Sequence, residues 1–217
     1  MTTDDNGPGK DEAISRLQHS FTRPTPDELR RVYDGWANEY EKNLVDDLGY
    51  HAPELVAEAA TRFFTGIDAP LLDIGCGTGL TGLAVRRHGD WPLHGLDISP
   101  EMLEIAREKG IYEKLLLANL NEELEIPDNT YAGAISSGTF TVGHVQAEAL
   151  AEISRVLAPG APFAFTVHSD IWDASGFPDT IERLEAENRI ELVEKEEKHH
   201  LTQLPDKTSF ICVALAK

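Results

Sequence analysis

The fold is decided by the stretch Leu71-Leu72-Asp73-Ile74-Gly75-Cys76-Gly77-Thr78-Gly79-Leu80, in which an apolar strand runs directly into three glycines at alternate positions. Glycine lets the chain turn sharply and leaves backbone amides exposed at the start of the helix that follows. In open α/β sheets, ligands bind in the crevice beyond the carboxyl ends of the strands. The stretch therefore predicts a buried strand, a ligand-binding loop and a helix, in that order.

A second short strand pattern, His94-Gly95-Leu96-Asp97, ends in a carboxylate. Asp97 follows Gly75 by roughly 20 positions, which is the spacing of a carboxylate that binds a ribose. A carboxylate suits this task because it can accept hydrogen bonds from both ribose hydroxyls. The two patterns together predict a ligand that contains a nucleoside.

The glycine spacing distinguishes between nucleoside ligands. Dinucleotide-binding loops carry G-x-G-x-x-G, but Leu80 holds the position of the third glycine here. A P-loop needs Lys-Ser or Lys-Thr directly after its glycines, but Leu80-Thr81 follows them here. The P-loop is therefore excluded, whereas an NAD-linked oxidoreductase stays an alternative that the pattern disfavours.

Short apolar runs alternate with helical segments over most of the chain. The predicted strands are Leu71–Ile74, Leu93–Leu96, Lys114–Ala118, Tyr131–Ser136, Pro162–Val167, Ile190–Glu196 and Thr208–Ala216. Helices are predicted to open at Gly79, Pro100 and Val145, and such crossovers imply a mainly parallel sheet covered on both faces. Only residues 197–207 separate the last two strands, so these should form an antiparallel hairpin, with the charged run Glu191–Lys198 on an edge strand. We predict a Rossmann-like three-layer α/β sandwich with a mostly parallel seven-stranded sheet.

The N-terminal part has a different composition. Met1 to about Lys10 is small, polar and rich in Gly and Asp, so residues 1–24 are predicted to be a mostly flexible tail. The sequence Thr25-Pro26-Asp27-Glu28 combines an N-cap residue, a proline in the first turn and acidic side chains, which predicts the start of a helix. Residues 25–217 are predicted to form a single domain that opens with a helical segment.

The composition limits the partners. The chain has 217 residues, with 19 Lys and Arg against 38 Asp and Glu, and a formal net charge of −19. This charge repels phosphate backbones and anionic lipid, so nucleic acids and membranes are poor partner candidates. The two cysteines form no CxxC pair that could hold zinc, and they suit a reducing compartment. With no secretory signal pattern and no apolar run near the roughly 20 residues of a membrane span, we expect a cytoplasmic protein.

Several motifs resemble those of the class I S-adenosylmethionine-dependent methyltransferases. Their first motif resembles Leu72-Asp73-Ile74-Gly75-Cys76-Gly77-Thr78-Gly79, and their second is similar to Asp97-Ile98-Ser99-Pro100-Glu101-Met102-Leu103. The turn before their fifth strand resembles Arg155-Val156-Leu157-Ala158-Pro159-Gly160. A narrower group, which includes the methyltransferase-like protein of the Williams-Beuren syndrome region, has an opening similar to Tyr33-Asp34-Gly35-Trp36-Ala37-Asn38-Glu39-Tyr40. The resemblance implies S-adenosylmethionine as cofactor and S-adenosylhomocysteine as product.

The resemblance assigns the loop to the methionine and ribose parts of the cofactor. The positions that would lie against these parts are Gly75, Cys76, Gly77 and Gly79. Asp73 would receive the ammonium group, and Asp97 would bind the ribose hydroxyls.

The adenine site follows from the same resemblance. Ile98 and Met102 would hold adenine between them, since an aromatic ring gains from apolar and sulfur contacts. Many relatives carry an Asp after the third strand for the adenine amino group, whereas this chain has Asn119-Leu120. The Asn119 carbonyl oxygen can still accept that hydrogen bond, and the Leu120 amide would serve the neighbouring ring nitrogen.

Three further positions complete the implied cofactor site. Ser136 ends the predicted fourth strand and would place its backbone carbonyl near the ammonium group. Tyr33 and Trp36 belong to the helical segment that folds over the cofactor in the resembling group. Tyr33 would hydrogen-bond the cofactor carboxylate and Trp36 would line the cofactor or acceptor pocket, with packing between helices as the alternative for both.

Methyl transfer from a sulfonium needs alignment and exclusion of water, and a base only where the acceptor keeps its proton. An imidazole suits such a base near neutral pH. His144 is the first candidate for a catalytic base, followed by His168 and Asp170, while Trp172 is either a pocket wall or a core residue. The acceptor is expected to be a small molecule with an O or N nucleophile. A cofactor-binding protein without turnover stays a further alternative.

Overall fold

The computed structural model describes residues 8–20, 25–67 and 69–217. The strands are β1 (Leu71–Ile74), β2 (Leu93–Asp97), β3 (Lys114–Leu117), β4 (Gly133–Phe140), β5 (Pro162–His168), β6 (Ile190–His199) and β7 (Thr208–Ala216). The helices are α1 (Pro8–Ser20), α2 (Pro26–Glu41), α3 (Ala52–Thr61), α4 (Leu80–Arg86), α5 (Pro100–Glu108), α6 (Ala149–Val156), α7 (Ser169–Trp172) and α8 (Phe177–Ala186). In these residues the strands form one seven-stranded sheet, in the order β3-β2-β1-β4-β5-β7-β6.

The sheet is parallel from β3 to β5, and β7 is antiparallel to both β5 and β6. The chain builds outward from β1, with β2 and β3 on one side and β4 and β5 on the other. Such a reversal of strand order opens a crevice at the carboxyl ends of the strands, where ligands bind. The predicted Rossmann-like α/β sandwich with an antiparallel C-terminal hairpin is confirmed.

Helices cover both faces of the sheet, as the buried central strands require. All four residues of β1 and all seven of β5 are buried. Leu72 and Ile74 belong to the larger apolar cluster, whereas Leu71 packs with α3 on the opposite face. Strands buried on both faces in this way are typical of parallel α/β sheets.

The strand β6 closes the sheet as an edge strand. It pairs with β7 over Ile190–His199, and its pairing register shifts between Leu192 and Glu194. The charged run Glu191–Lys198 therefore lies on this outer strand, as predicted, where charged side chains and an irregular register protect an exposed edge from further pairing.

The N-terminal segment differs from the predicted flexible tail. Pro8–Ser20 is the helix α1, and Ala13 on it is fully buried. Ala13 packs with Trp36 and Leu44, so the apolar residues in the middle of this segment offset the cost of ordering it. The rest of the predicted tail, residues 1–7 and 21–24, lies outside the described residues.

The predicted start of α2 agrees with the structure in detail. The Thr25 hydroxyl accepts from the Glu28 amide, and the Thr25 amide donates to the Glu28 carboxylate at 2.8 Å. This reciprocal arrangement is a capping box, which satisfies two backbone donors at the helix start. A π-helical turn, Lys42–Asp47, follows α2.

Several predicted boundaries need correction, and those of β4 and α6 differ most in their effect on the site. The strand β4 begins at Gly133 rather than Tyr131 and continues past Ser136 to Phe140, with a shift of its pairing register to β5 between Ser136 and Phe140. The helix predicted to open at Val145 begins at Ala149, because the chain first makes turns that include Gly143 at φ +82°. The irregular stretch of β4 is important for the site, since bulges re-aim strand residues near active sites.

Helices α7 and α8 fill the connection between β5 and β6 and were not predicted. Within the described residues, no helix is both long and apolar enough to cross a membrane.

Candidate active site

The glycine loop after β1 is held against both neighbouring strands. The Cys76 amide donates to the Leu96 carbonyl of β2 at 2.9 Å. Gly75 has φ +64°, and a Cβ at this position would lie 2.2 Å from Thr139 Oγ1 of β4. Gly77 also has a positive φ, of +52°, but a Cβ there would meet nothing within 4 Å. The loop is therefore packed at Gly75 and open at Gly77, where a ligand can approach the backbone.

Asp97 at the end of β2 anchors this loop. Its Oδ2 accepts from the Gly77 amide at 2.8 Å, and its Oδ1 accepts from the Ser99 amide at 2.9 Å. Burial raises the pKa of this carboxyl, and the backbone hydrogen bonds offset part of the rise. Each carboxylate oxygen can accept a further hydrogen bond, so Asp97 can hold the loop and still receive ligand hydroxyls.

A cavity of about 630 Å³, including space open to solvent, lies between the loop, β4 and α2, and we call it the glycine-loop cavity. The predicted site residues that line it are Tyr33, Gly75, Gly77, Asp97, Ile98, Met102, Asn119, Leu120 and His144. Other lining residues, which sequence reasoning missed, are Leu29, Tyr40, Ala118, Asn121, Ser137, Gly138, Thr139 and Val145.

Ile98 and Met102 supply apolar surface to one end of this cavity. Met102 is buried, and its amide donates to the Ser99 hydroxyl that caps α5. Asn119 lies on the same wall; its Oδ1 accepts from the Asn121 amide at 3.1 Å and its amide nitrogen donates to Glu122 at 2.8 Å. These bonds fix the Asn119 side chain and leave its oxygen with one further lone pair for a ligand.

Five predicted site residues do not line the glycine-loop cavity. They are Trp36, Asp73, Cys76, Gly79 and Ser136. Cys76 is buried, and a Cβ at Gly95 would lie 2.9 Å from its sulfur, so its side chain packs against β2. Gly79 is the N-cap of α4 and lies against Tyr112. The Ser136 hydroxyl donates to the Ile74 carbonyl at 2.8 Å inside the sheet.

Asp73 lies behind the loop rather than in the cavity wall. Its Oδ2 accepts from the Tyr112 hydroxyl at 2.6 Å. Burial raises the pKa of Asp73 to about 7, and the Tyr112 hydroxyl and the Gly82 amide offset part of that rise. Among the described residues, the buried Oδ1 of Asp73 has no hydrogen bond of full geometry. Tyr112, which packs against Gly79, Gly82 and Gly95, was not predicted.

Tyr33 on α2 is hydrogen-bonded to His144. The Tyr33 hydroxyl lies 2.8 Å from His144 Nε2, and His144 Nδ1 lies 2.8 Å from the Val142 carbonyl. A carbonyl can only accept, so Nδ1 carries the proton and Nε2 accepts from Tyr33 in the neutral ring. Burial lowers the pKa of His144 to about 4 and raises that of Tyr33. Both side chains are therefore uncharged near neutral pH.

A second cavity, of about 610 Å³ including space open to solvent, adjoins the first, and we call it the aromatic cavity. Its aromatic lining residues, apart from histidines, are Tyr33, Trp36, Tyr40, Tyr50 and Phe140. Its polar lining residues are Thr141, Thr166, His168, His200, Lys207 and Ser209. Trp36, predicted for the cofactor or acceptor pocket, thus lines this cavity.

The two cavities share Tyr33, Tyr40 and Gly138 in their walls. Gly138 lies in the irregular part of β4 at φ +72°, and a Cβ there would lie 2.7 Å from the Tyr50 hydroxyl oxygen. The Tyr50 hydroxyl donates to Ser137 Oγ, which lines the glycine-loop cavity. Gly138, which has no side chain, therefore belongs to the wall that the two cavities share beside Tyr50, and we call this shared wall the junction.

The remaining predicted candidates lie at or behind the aromatic cavity. His168 lines it, and its Nδ1 accepts from the Asp170 amide. The Asp170 carboxylate pairs with Lys207 at 3.2 Å outside the cavity wall. Trp172 is buried and stacks on Phe177 with ring centroids 6.1 Å apart, which supports the core alternative for this residue.

Sequence comparisons agree with this geometry. A family described as "Methyltransferase domain" matches residues 71–160. Methyltransferase-like protein 27 of Homo sapiens is 32% identical over 80% of this chain and 73% of that protein. Demethylmenaquinone methyltransferase of Symbiobacterium thermophilum is 34% identical over 66% of this chain and 61% of that protein. An 18S rRNA (guanine-N(7))-methyltransferase of Arabidopsis thaliana is 41% identical, over only 33% of this chain and 24% of that protein.

Solved structures share the fold at low sequence identity. Geranyl diphosphate C-methyltransferase from Streptomyces coelicolor A3(2), in complex with Mg²⁺, geranyl diphosphate and S-adenosyl-L-homocysteine, has a TM-score of 0.62 and 16% identity, over 90% of this chain and 98% of that one. The [4+2]-cyclase SpnF has a TM-score of 0.68 and 19% identity, over 89% of this chain and 97% of that one. Because a cyclase shares the architecture, the fold alone does not define the reaction.

The fold, the glycine loop and the acidic end of β2 define a class I methyltransferase. With the match to Methyltransferase-like protein 27 over most of both chains, this chain belongs to the S-adenosylmethionine-dependent methyltransferase family, and the resemblance predicted from the motifs is confirmed.

Proposed function

We propose that this protein binds S-adenosylmethionine in the glycine-loop cavity and transfers its methyl group to a small molecule held in the aromatic cavity. The observation that carries this proposal is the junction of the two cavities at Tyr33, Tyr40 and Gly138. A transferase must place donor and acceptor atoms within about 3–3.5 Å of each other, which two adjoining cavities permit.

The residues of the glycine-loop cavity fit this cofactor. Asp97 keeps lone pairs for the ribose hydroxyls while it holds the loop. The open face of Gly77 admits a close approach to the backbone. Ile98 and Met102 offer apolar and sulfur surface to the two faces of adenine, with Asn119 and Leu120 at its edge. Asp73 would then attract the ammonium group of the cofactor from behind the loop, through its Oδ1, which has no full hydrogen bond among the described residues.

The bound cofactor supplies a methyl group that its positively charged sulfur already activates for displacement. The chain's own residues hold the acceptor against the junction and exclude water from it. The faces of Tyr33 and Tyr40 at the junction also suit a positively charged neighbour, because aromatic faces attract cations.

His144 has a positioning role in this proposal. It lines the glycine-loop cavity but not the aromatic cavity, and its Nε2 is taken by the Tyr33 hydroxyl. An acceptor in the aromatic cavity would meet Tyr33 before it met His144. The geometry therefore favours His144 as the residue that orients Tyr33, and the direct base role stays a prediction.

A small acceptor is favoured over RNA by two observations. The aromatic cavity lies among buried side chains, including Trp36, Phe140 and Leu201. The net charge of −19 opposes the approach of a phosphate backbone. A relative named for rRNA matches only 33% of this chain, whereas one named for demethylmenaquinone matches 66% of it.

The direct test is methyl transfer from S-adenosylmethionine labelled in the methyl group to a panel of small acceptors, with S-adenosylhomocysteine measured as the second product. We expect equal amounts of methylated acceptor and S-adenosylhomocysteine. The variant Asp97→Asn should lose most of this activity, whereas Asp46→Asn, at an exposed aspartate, should retain it. Cofactor binding with no product from any acceptor would favour a binding protein without turnover, and NADH binding alone would favour the oxidoreductase.

A further inference from the structure

The walls of the aromatic cavity differ from those of the glycine-loop cavity in charge. In the part of the chain that the structure describes, no aspartate or glutamate lines the aromatic cavity, and Lys207 is its charged residue. Lys207 is 40% exposed and is paired with Asp170 at 3.2 Å. A cationic ligand would therefore find no carboxylate counter-ion in the cavity wall. An anionic ligand would compete with Asp170 for Lys207, and the net charge of −19 would repel it.

The aromatic residues of this cavity favour a flat ligand. Trp36 and Tyr40 meet edge to face with ring centroids 4.9 Å apart, and Tyr33 lies within 6.3 Å of both. Aromatic pairs gain stability from such offset and edge-to-face contacts. A planar ring system placed in the cavity could extend this packing toward Phe140 and Tyr50.

The wall of this cavity also includes a residue with a neutral hydroxyl group. Thr141 lines the cavity and is 9% exposed, and its hydroxyl has no hydrogen-bond partner among the described residues. A buried hydroxyl without a partner costs stability, and a ligand hydroxyl could satisfy it. The Thr141 hydroxyl therefore points to a ligand independently of the aromatic packing.

Two buried imidazoles complete this polar wall. The rings of His168 and His200 have centroids 5.5 Å apart, and His200 Nδ1 is bonded to Ser209 Oγ at 3.2 Å. Burial lowers the pKa of both, that of His200 to about 3, so both rings are neutral at physiological pH. Neutral imidazoles and a threonine hydroxyl can donate to and accept from a ligand without adding charge.

We propose that the aromatic cavity selects a flat, uncharged acceptor that carries a hydroxyl group, with Thr141 and His200 as its specificity-determining hydrogen-bond partners. The proposal rests on the function proposed above. The reaction it implies is O-methylation. The hydroxyl oxygen forms a bond to the methyl carbon as the bond from that carbon to sulfur breaks, and the sulfur keeps the electron pair and becomes a neutral thioether. The hydroxyl proton passes to solvent or to a neutral imidazole.

The test is isothermal titration of the full-length protein, saturated with S-adenosylhomocysteine, with four probes of one shape: 2-naphthol, naphthalene, 2-naphthoate and 2-naphthylmethylammonium. We expect 2-naphthol to bind about tenfold or more tightly than each of the others, the scale of one or two hydrogen bonds. Thr141→Val and His200→Phe should each reduce its advantage over naphthalene, whereas His199→Phe, at the exposed neighbouring histidine, should not.

Equal or tighter binding of a charged probe would overturn the proposal, as would failure of all four probes to bind. So would an advantage of 2-naphthol that survives both Thr141→Val and His200→Phe. The valine variant nearly conserves shape, so it keeps the test valid if His200→Phe does not fold. S-adenosylhomocysteine is titrated separately: if it fails to bind while 2-naphthol still binds to the unsaturated protein, the proposed function fails and the chemistry of the cavity stands.

Discussion

The Tyr33 hydroxyl lies 2.8 Å from His144 Nε2 and joins the N-terminal helix α2 to the loop after β4. A second link, 2.6 Å from Ser99 Oγ to Asp34 Oδ1, joins the same helix to the start of α5. Helix α2 is therefore fixed to both sides of the glycine-loop cavity, through residues that are, or lie next to, those that we expect at the site. Opening of the cavity must break or bend these contacts.

The link between Tyr33 and His144 should stabilise the closed lid. We expect Tyr33→Phe and His144→Leu each to increase hydrogen exchange at the amides of residues 26–41. The double variant should change the free energy of unfolding by less than the sum of the two single changes, with a coupling of roughly 0.5–3 kcal/mol, because the residues share one hydrogen bond. Chemical denaturation and exchange mass spectrometry provide the two measurements. Additive effects in both would show that the pair does not act as a unit.

Gly77 should matter more for cofactor binding than for folding. Gly77 and Gly66 have φ of +52° and +65°, and a Cβ at either would meet nothing within 4 Å. Alanine at each therefore costs a similar amount of backbone strain, about 1 kcal/mol. Only Gly77 lines the cavity, so Gly77→Ala should weaken S-adenosylhomocysteine binding at least tenfold, and Gly66→Ala should leave it unchanged. Similar binding by the two variants would argue against a ligand at Gly77.

Asp97 has both a structural and a binding role, and the substitution must separate them. Asp97→Ala would leave the amides of Gly77 and Ser99 unpaired, at a cost of about 1–3 kcal/mol each in stability. Asp97→Asn keeps one acceptor oxygen and nearly the same shape. We expect it to weaken S-adenosylhomocysteine binding about 10- to 100-fold, with a smaller loss of stability than alanine causes. An unchanged dissociation constant would remove Asp97 from the ribose site.

Asp73 should make stability depend on pH. Burial raises its pKa from 3.8 to about 7, so between these values the folded protein retains a proton that the unfolded chain has released. The contribution of this group to stability is therefore present at low pH and is lost as the pH rises toward 7. Asparagine at this position does not ionise, so the stability of Asp73→Asn relative to the unsubstituted protein should increase as the pH rises from about 5 to about 8. Urea denaturation at the two pH values measures this difference, and a constant difference would contradict the buried, protonated carboxyl.

Much of the fold was predictable from the sequence because local and tertiary signals agree there. The runs that became β1 and β2 are apolar and short, and glycines or Asp97 follow them. The capping box at Thr25 fixes the start of α2 without help from the rest of the chain. Helix α1 was missed because its first turn is polar and gives no helix signal of its own. Its apolar face is stabilised by packing against α2 and the π-helical turn, which the local sequence does not show.

About half of the lining of the glycine-loop cavity was predictable, since these residues follow strand ends in recognisable motifs. Motif membership does not show which way a side chain points: the Cys76 side chain packs against β2, and the Ser136 hydroxyl donates to β1. The role expected for the Ser136 backbone carbonyl stays a prediction. Most of the aromatic cavity was beyond sequence reasoning, although Tyr33, Trp36 and His168 of its lining were among the candidates. Tyr50, Thr141 and His200 come from three distant segments, and only the long irregular β4 and the C-terminal hairpin bring them together.

The most direct test of the central claim is a crystal structure of the protein with S-adenosylhomocysteine. We predict that the ribose hydroxyls lie within hydrogen-bonding distance of the Asp97 carboxylate, with adenine between Ile98 and Met102 and the sulfur directed toward Gly138 and the aromatic cavity. Clear density for the nucleoside elsewhere, or a glycine-loop cavity that stays empty in crystals grown with saturating ligand, would contradict the account.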